Sequence, residues 1–221
     1  MLLQVRSLAK SFTRNGQSFK AVDQVNFQLQ AGEMAVLSGP SGCGKSTFFN
    51  LLTGILPADQ GQIFFQGQDI SQQSEATWTK LRAHKLAYVP QTDSLLDNLC
   101  VLDNIILPHS LSGHPALPAE DIAQLLRGFG LAAVETAFPP DLSGGERRRV
   151  AMVRALAQDP LLLIADEPTG DLDPDNAQII LTFLQKKAQE GLAVLLSTHQ
   201  LESMPAGLSH YHMQAGQIDL S

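Results

Sequence analysis

With 221 residues, the chain has room for one domain, or for one domain with an insert. A hydrophobic share of 44% supports a packed core, and an aromatic share of only 6% makes that core aliphatic. The formal net charge of −7 argues against non-specific binding to nucleic acid, which calls for a basic surface.

Cys43 and Cys100 form neither a disulfide framework nor a metal-ligand spacing, so they read as the reduced thiols of a cytosolic protein. Residues Met1 to Lys10 hold no apolar stretch of signal-peptide length. No run of 18 apolar residues occurs, so no helix is expected to span or insert into a bilayer. Any membrane part of the machinery would come from another chain.

Along the chain, the alternating stretch near Val25 to Gln30 predicts a half-exposed, antiparallel strand. Met34 to Ser38 is apolar almost throughout, as a parallel strand buried on both faces is. Directly after it comes Gly39-Pro40-Ser41-Gly42-Cys43-Gly44-Lys45-Ser46, and then a helical pattern to Leu52. Strand, G-x-x-x-x-G-K-[ST] and helix together are the setting of a phosphate-binding loop. Glycines let successive backbone N–H groups turn inward, and the helix start adds its positive dipole end. In that reading Lys45 reaches the β- and γ-phosphates, Ser46 places its hydroxyl on Mg²⁺, and Thr47 adds an α-phosphate contact.

The Gln-rich segment Gln60 to Gln73 reads as a strand, alternating at Gln62 to Gln66, and a solvated loop. Trp78 is expected to pack at the edge of the insert or the core. From Thr92 to Asp141 the chain holds Pro108, Pro115, Pro118, Pro139 and Pro140 and no buried-strand pattern. This stretch reads as a mostly helical insert, with one helix over Ala119 to Phe129. Leu142-Ser143-Gly144-Gly145-Glu146 then precedes a helix over Glu146 to Ala157, a second place where glycines and a hydroxyl meet a helix start. Arg147, Arg148 and Arg149 read as a solvated face with salt bridges inside the domain, or else as a contact for acidic groups on a partner.

Leu161 to Ala165 is another buried parallel strand, and it ends in Asp166 and Glu167. Carboxylates at the carboxyl end of such a strand sit where open α/β sheets bind ligands. Asp166 suits Mg²⁺, and Glu167 suits orienting and deprotonating an attacking water. The plain alternative is a surface helix cap, with Pro168 following. A helix over Asp175 to Glu190 and a strand over Leu192 to Ser197 complete an alternating α/β pattern. His210 and His212 alternate as strand neighbours do, and an edge or surface placement is expected rather than a metal site.

In this order the motifs resemble the nucleotide-binding domain of ABC ATPases, over essentially the whole chain. Gln91, in Tyr88-Val89-Pro90-Gln91, is similar to the family's Q-loop glutamine. Leu142 to Glu146 resembles the signature, and Asp166 and Glu167 resemble Walker B and its glutamate. Gly170-Asp171-Leu172-Asp173 resembles the D-loop, and His199 the switch histidine. Gln200 stands where aspartate commonly follows that histidine.

The resemblance implies a RecA-like core with an antiparallel β subdomain over residues 1–91 and 150–221, and a helical subdomain over 92–149. It implies ATP and Mg²⁺ as ligands, with Ser46, Gln91 and Asp166 on the metal. It implies a head-to-tail homodimer in which Ser143 and Gly145 act in trans and Asp171 and Asp173 couple the sites. His199 would contact the γ-phosphate, and Phe12, or Phe19, would stack on adenine. Phe12 in a core-packing role is the competing reading, because the family usually has tyrosine there.

The implied partner is an integral membrane permease on a separate chain, with this chain at the inner face of the cell membrane. Residues 86–91, 101–105 and 165–173 look most like the lipoprotein-releasing, macrolide-exporting and cell-division subgroup. A small-molecule importer ATPase and a transmembrane signalling ATPase are the alternatives. A soluble ATPase of DNA or ribosomes fits less well, since the chain has one such domain and no long heptads.

Overall fold

The computed structural model describes every residue except 93, 114–116, 171, 200, 202, 203, 206 and 221. Asp171, His114 and Gln200 therefore lie outside the described residues, as does Pro115.

Two sheets organise the chain. β1 (Leu3–Arg14) and β2 (Gln17–Leu29) form an antiparallel hairpin. Its turn is Asn15-Gly16, both with positive φ (52° and 76°), the geometry that matches strand twist in two-residue hairpins. β4 (Gln60–Phe65) pairs with β1, and the short β5 (Gln68–Asp69) completes a four-stranded sheet in the order β2-β1-β4-β5. The antiparallel strands expected at Val25 to Gln30 and Gln62 to Gln66 are parts of β2 and β4.

The second sheet holds β3 (Met34–Ser38), β6 (Leu86–Val89), β7 (Leu162–Ala165), β8 (Ala193–Thr198), β9 (Ser209–Gln214) and β10 (Gln217–Leu220). Its order is β10-β9-β3-β8-β7-β6, parallel except for the β9–β10 hairpin. Successive side chains of its strands enter different cores. Leu162 and Ile164 join Phe48, Phe49 and the inner face of the first sheet, whereas Leu163 and Ala165 join the helical side. Burial on both faces is why β7 is apolar at every position and β3 and β8 turn polar only at their carboxyl ends.

α1 (Lys45–Leu52) lies in the first core, and α2 (Glu75–His84) contributes Trp78 to it. Trp78 packs so closely that a Cβ on Gly54 would meet its ring at 2.2 Å. It is thus a core residue. The helical side is built by α3 (Val101–Leu111), α4 (Ala119–Gly128), α5 (Gly144–Leu156) and α6 (Pro174–Gln189). Between β6 and α5 the described residues contain α3, α4 and two 3₁₀ turns and no strand, as the Pro-rich stretch predicts. Asn104, 1% exposed, shapes the approach to α3 by donating to the Leu96, Leu99 and Cys100 carbonyls and accepting the Leu96 N–H.

Two expectations change. The helix after the serine–glycine turn begins at Gly144, so both glycines lie inside its first turn and Ser143 is its N-cap. The arginine run is not a solvated face: Arg149 is 7% exposed, and Arg147 and Arg148 are half-buried against backbone carbonyls.

Candidate nucleotide site

The loop after β3 is shaped by its own glycines and by Lys45. A Cβ on Gly39 (φ +148°) would fall 2.2 Å from the Met213 carbonyl oxygen of β9. One on Gly44 (φ +117°) would fall 2.1 Å from the Ala21 carbonyl oxygen of β2. Neither position has room for a side chain, so both glycines are steric requirements. The loop is thus wedged between the two sheets. Lys45, 6% exposed, folds its ammonium back onto the carbonyls of Gly39 (2.8 Å) and Pro40 (3.2 Å). Cys43 is buried beneath the loop, 4.0 Å from the lysine nitrogen.

A cleft of about 570 Å³ opens over this loop. Ser41, Gly42, Gly44, Lys45, Ser46 and Thr47 form its floor, and Gln91, Glu167 and His199 line it as well. Phe12 and Phe19 close its far end. They are cross-strand partners in the β1–β2 hairpin, with ring centroids 6.1 Å apart. Phe12 is half-buried and outside both core clusters, so core packing does not account for it; Phe19 is 48% exposed.

The two acids stand at the end of β7, separated from β3 by β8 alone. Asp166 is buried at 2% exposure. Glu167 has φ +50°, the left-handed region that costs a non-glycine residue roughly 1–2 kcal/mol. Two sets of contacts hold the pair. Ser197 Oγ accepts the Glu167 N–H (2.8 Å) and donates to Asp166 Oδ1 (2.5 Å). Arg148 Nη1 donates to the Pro90 and Gln91 carbonyls (2.6 and 3.1 Å), and its Nη2 to those of Asp166 and Glu167 (2.5 and 2.7 Å).

Both carboxylate oxygens of Glu167 have neighbours. Gln91 Nε2 donates to Oε2 at 2.9 Å, and His199 Nδ1 lies 3.4 Å from Oε1. Nearby, burial and the Asp166 charge push the Tyr88 hydroxyl well above its usual range.

Leu142, Ser143, Gly144, Gly145 and Glu146 are absent from this cleft. Gly144 instead lines a smaller cavity of about 180 Å³, on the α5 side of Gln91 and Glu167. Ser143 is occupied by a capping box. Its hydroxyl donates to Glu146 Oε2 (2.7 Å) and accepts the Glu146 N–H (3.2 Å), and the Ser143 N–H reaches the same carboxylate. These hydrogen bonds hold the Glu146 carboxyl below its usual range.

His210 and His212 are on the interior strand β9, half-buried, and both approach Ser38 Oγ (2.8 and 3.1 Å). That placement corrects the edge or surface position expected for them. Among the described residues no group of three His, Cys, Asp or Glu is arranged to hold a metal ion. Sequence reasoning missed Ser197 and the role of Arg148. A polar residue closing an otherwise apolar strand was the available signal for Ser197. Nothing local marks Arg148, whose carbonyl partners are 18 to 58 residues away.

A glycine loop joining a buried parallel strand to a helix, with two acids closing a strand beyond it, defines a P-loop nucleoside triphosphatase of the RecA-like kind. Residues 22–170 match the family model described as ABC transporter, and the chain belongs to that family.

Several relatives support the assignment. An uncharacterised ABC transporter ATP-binding protein of Mycobacterium tuberculosis is 38% identical over 98% of this chain and 88% of its own. The lipoprotein-releasing system ATP-binding protein LolD of Idiomarina loihiensis is 36% identical over 91% and 89%. A dimeric, post-hydrolysis structure of the ATP-binding cassette MJ0796 with ADP and Pi superposes with a TM-score of 0.91. It is 28% identical, covering 99% of this chain and 97% of that one. The protein is accordingly an ATP-binding and ATP-hydrolysing subunit of an ABC transporter.

Proposed function

We propose that two copies pack head to tail around two ATP molecules and transmit the cycle of binding and hydrolysis to a permease on a separate chain. One observation carries this reading. A single copy holds the phosphate loop, Gln91, Glu167 and His199 in one cleft, yet keeps Ser143 and Gly145 out of it. A second copy would bring its serine–glycine turn, with the α5 amides and helix dipole, to the open side of the terminal phosphate. The dimeric MJ0796 cassette structures are compatible with that arrangement.

In this reading Phe12 stacks on adenine, and Phe19 extends the platform beside it. The loop amides and Lys45 hold the phosphates. Lys45 would exchange the Gly39 and Pro40 carbonyls for β- and γ-oxygens. Ser46, Asp166 and Gln91 offer hydroxyl, carboxylate and amide oxygens, a hard donor set that suits Mg²⁺. When bound there, Mg²⁺ would neutralise charge developing on the β- and γ-oxygens.

Glu167 accepts a proton from water as the water oxygen bonds to the γ-phosphorus and the bond to the β–γ bridging oxygen breaks, releasing ADP. Glu167 has lone pairs left for that water beside Gln91 and His199. His199 then turns to the γ-phosphate. Asp171 and Asp173 belong to the trans contact that couples the two sites.

No helix among the described residues is long and apolar enough to cross a membrane. The work of the complex on the membrane therefore falls to the permease, with this subunit against its inner face and no nucleic acid involved. The likeness to LolD favours lipoprotein release, export or mechanical transmission across the membrane. A small-molecule importer is the second reading, and a permease with many spans and a partner binding protein would favour it.

Glu167→Gln tests the core of the proposal. The variant is expected to bind ATP, to hydrolyse it about 10²- to 10⁴-fold more slowly, and to accumulate as an ATP-dependent dimer in light scattering. Wild-type turnover, or a strictly monomeric variant at saturating ATP, would overturn it.

A further inference from the structure

The two acids of the site are adjacent in sequence, so one strand must deliver them in different directions. Glu167 achieves this with a left-handed backbone, a conformation that relaxes unless something holds it. Its N–H is held by a single hydroxyl, that of Ser197 on β8, which is fully buried. The same hydroxyl donates a hydrogen bond to Asp166 Oδ1, so N–H, Oγ and Oδ1 form one directed chain. β8 lies directly between β7 and the phosphate-loop strand.

We propose that Ser197 is a positioning residue for hydrolysis. It fixes the backbone turn that aims Glu167, and it takes one oxygen of Asp166 so that Oδ2 is the oxygen offered to the cation. This rests on the roles given above to Asp166 and Glu167. A hydroxyl has one proton and two lone pairs, so the same Oγ can donate to the carboxylate and accept the amide at once. The two acids thereby share one anchor on β8. Arg148 donates to the carbonyls of the same two residues and so fixes their peptide planes through other atoms.

The isosteric pair Ser197→Val and Ser197→Thr separates positioning from packing, because both add bulk and only threonine keeps a hydroxyl. In nucleotide-free protein, S197V is expected to raise the hydrogen-exchange rate of the Glu167 amide, read by NMR, at least about 10-fold. In ATPase assays it should lower kcat by about 10- to 100-fold. It should also raise the Mg²⁺ concentration for half-maximal activity, with KM for ATP nearly unchanged. S197T should restore most of each property.

Equal impairment of the two variants, or unchanged amide exchange and Mg²⁺ requirement in S197V, would overturn the assignment. If S197V does not fold, Ser197→Cys gives the same contrast through a weak hydrogen-bonding group. Glu167→Gln assayed alongside keeps the two readings apart. Full activity there removes the base, whereas the amide exchange tests the Ser197 contacts without reference to turnover.

Discussion

Arg148 carries the site's architecture through one planar group. Four carbonyls, two from the segment after β6 and two from the end of β7, converge on its guanidinium. Hydrogen bonds from a charged donor contribute about 1.5–3 kcal/mol each where the partner is buried. Half-exposure and shared geometry reduce their sum. Arg148→Gln is expected to destabilise the protein by about 2–3 kcal/mol in denaturant unfolding and to slow hydrolysis more than it weakens nucleotide binding. Arg148→Lys should not rescue it, because an ammonium cannot span four acceptors in one plane. Full recovery with lysine would show that charge alone suffices.

At the scale of elements, two helix starts rest on ionised carboxylates. Asp173 caps α6 by accepting the Asn176 N–H at 3.0 Å, and Glu146 closes the capping box of α5. Hydrogen bonds from Asn176, its backbone N–H first, hold the Asp173 carboxyl below the usual range. A folded-state pKa lower than the unfolded one gives stability above the unfolded value, lost as pH falls through the folded value. Asp173→Ala should therefore lower Tm by roughly 2–4 °C at neutral pH. The gap to wild type should close as pH drops below the ordinary aspartate value of about 3.9. A gap independent of pH would refute a contribution from the ionised carboxylate.

Elements differed in how well the sequence disclosed them. Met34 to Ser38 and the strand leading to Asp166 were legible because burial on both faces makes nearly every position apolar. The long β1 was not, because register shifts between Val5, Leu8, Lys10 and Ser11 break its alternation. α2 was missed because Trp78 is its one buried residue, so no apolar stripe repeats. The phosphate loop and diacid were legible because their chemistry dictates residue types at fixed spacing. Contacts such as Ser197 with Asp166 join distant positions and leave no local pattern.

For the whole molecule, the parallel sheet is the shared wall of two cores. Ile164→Ala would empty space on the side of the first sheet, and Leu163→Ala on the side of α3 to α6. Each should cost about 2–5 kcal/mol. Because neighbouring residues of one strand serve both cores, each variant should still unfold in a single transition. Two resolved transitions in calorimetry for L163A would mean that the helical side melts independently.

Lys45 grips its own loop. Its rotamer freedom, up to about 2 kcal/mol for a lysine, has thus been surrendered during folding and need not be lost again on association. Nucleotide capture by one copy should then owe its heat-capacity change to adenine covering Phe12 and Phe19 and little to the phosphates, where charged contacts are exchanged. A large negative value in titration calorimetry would belong to the later closing of two copies upon each other.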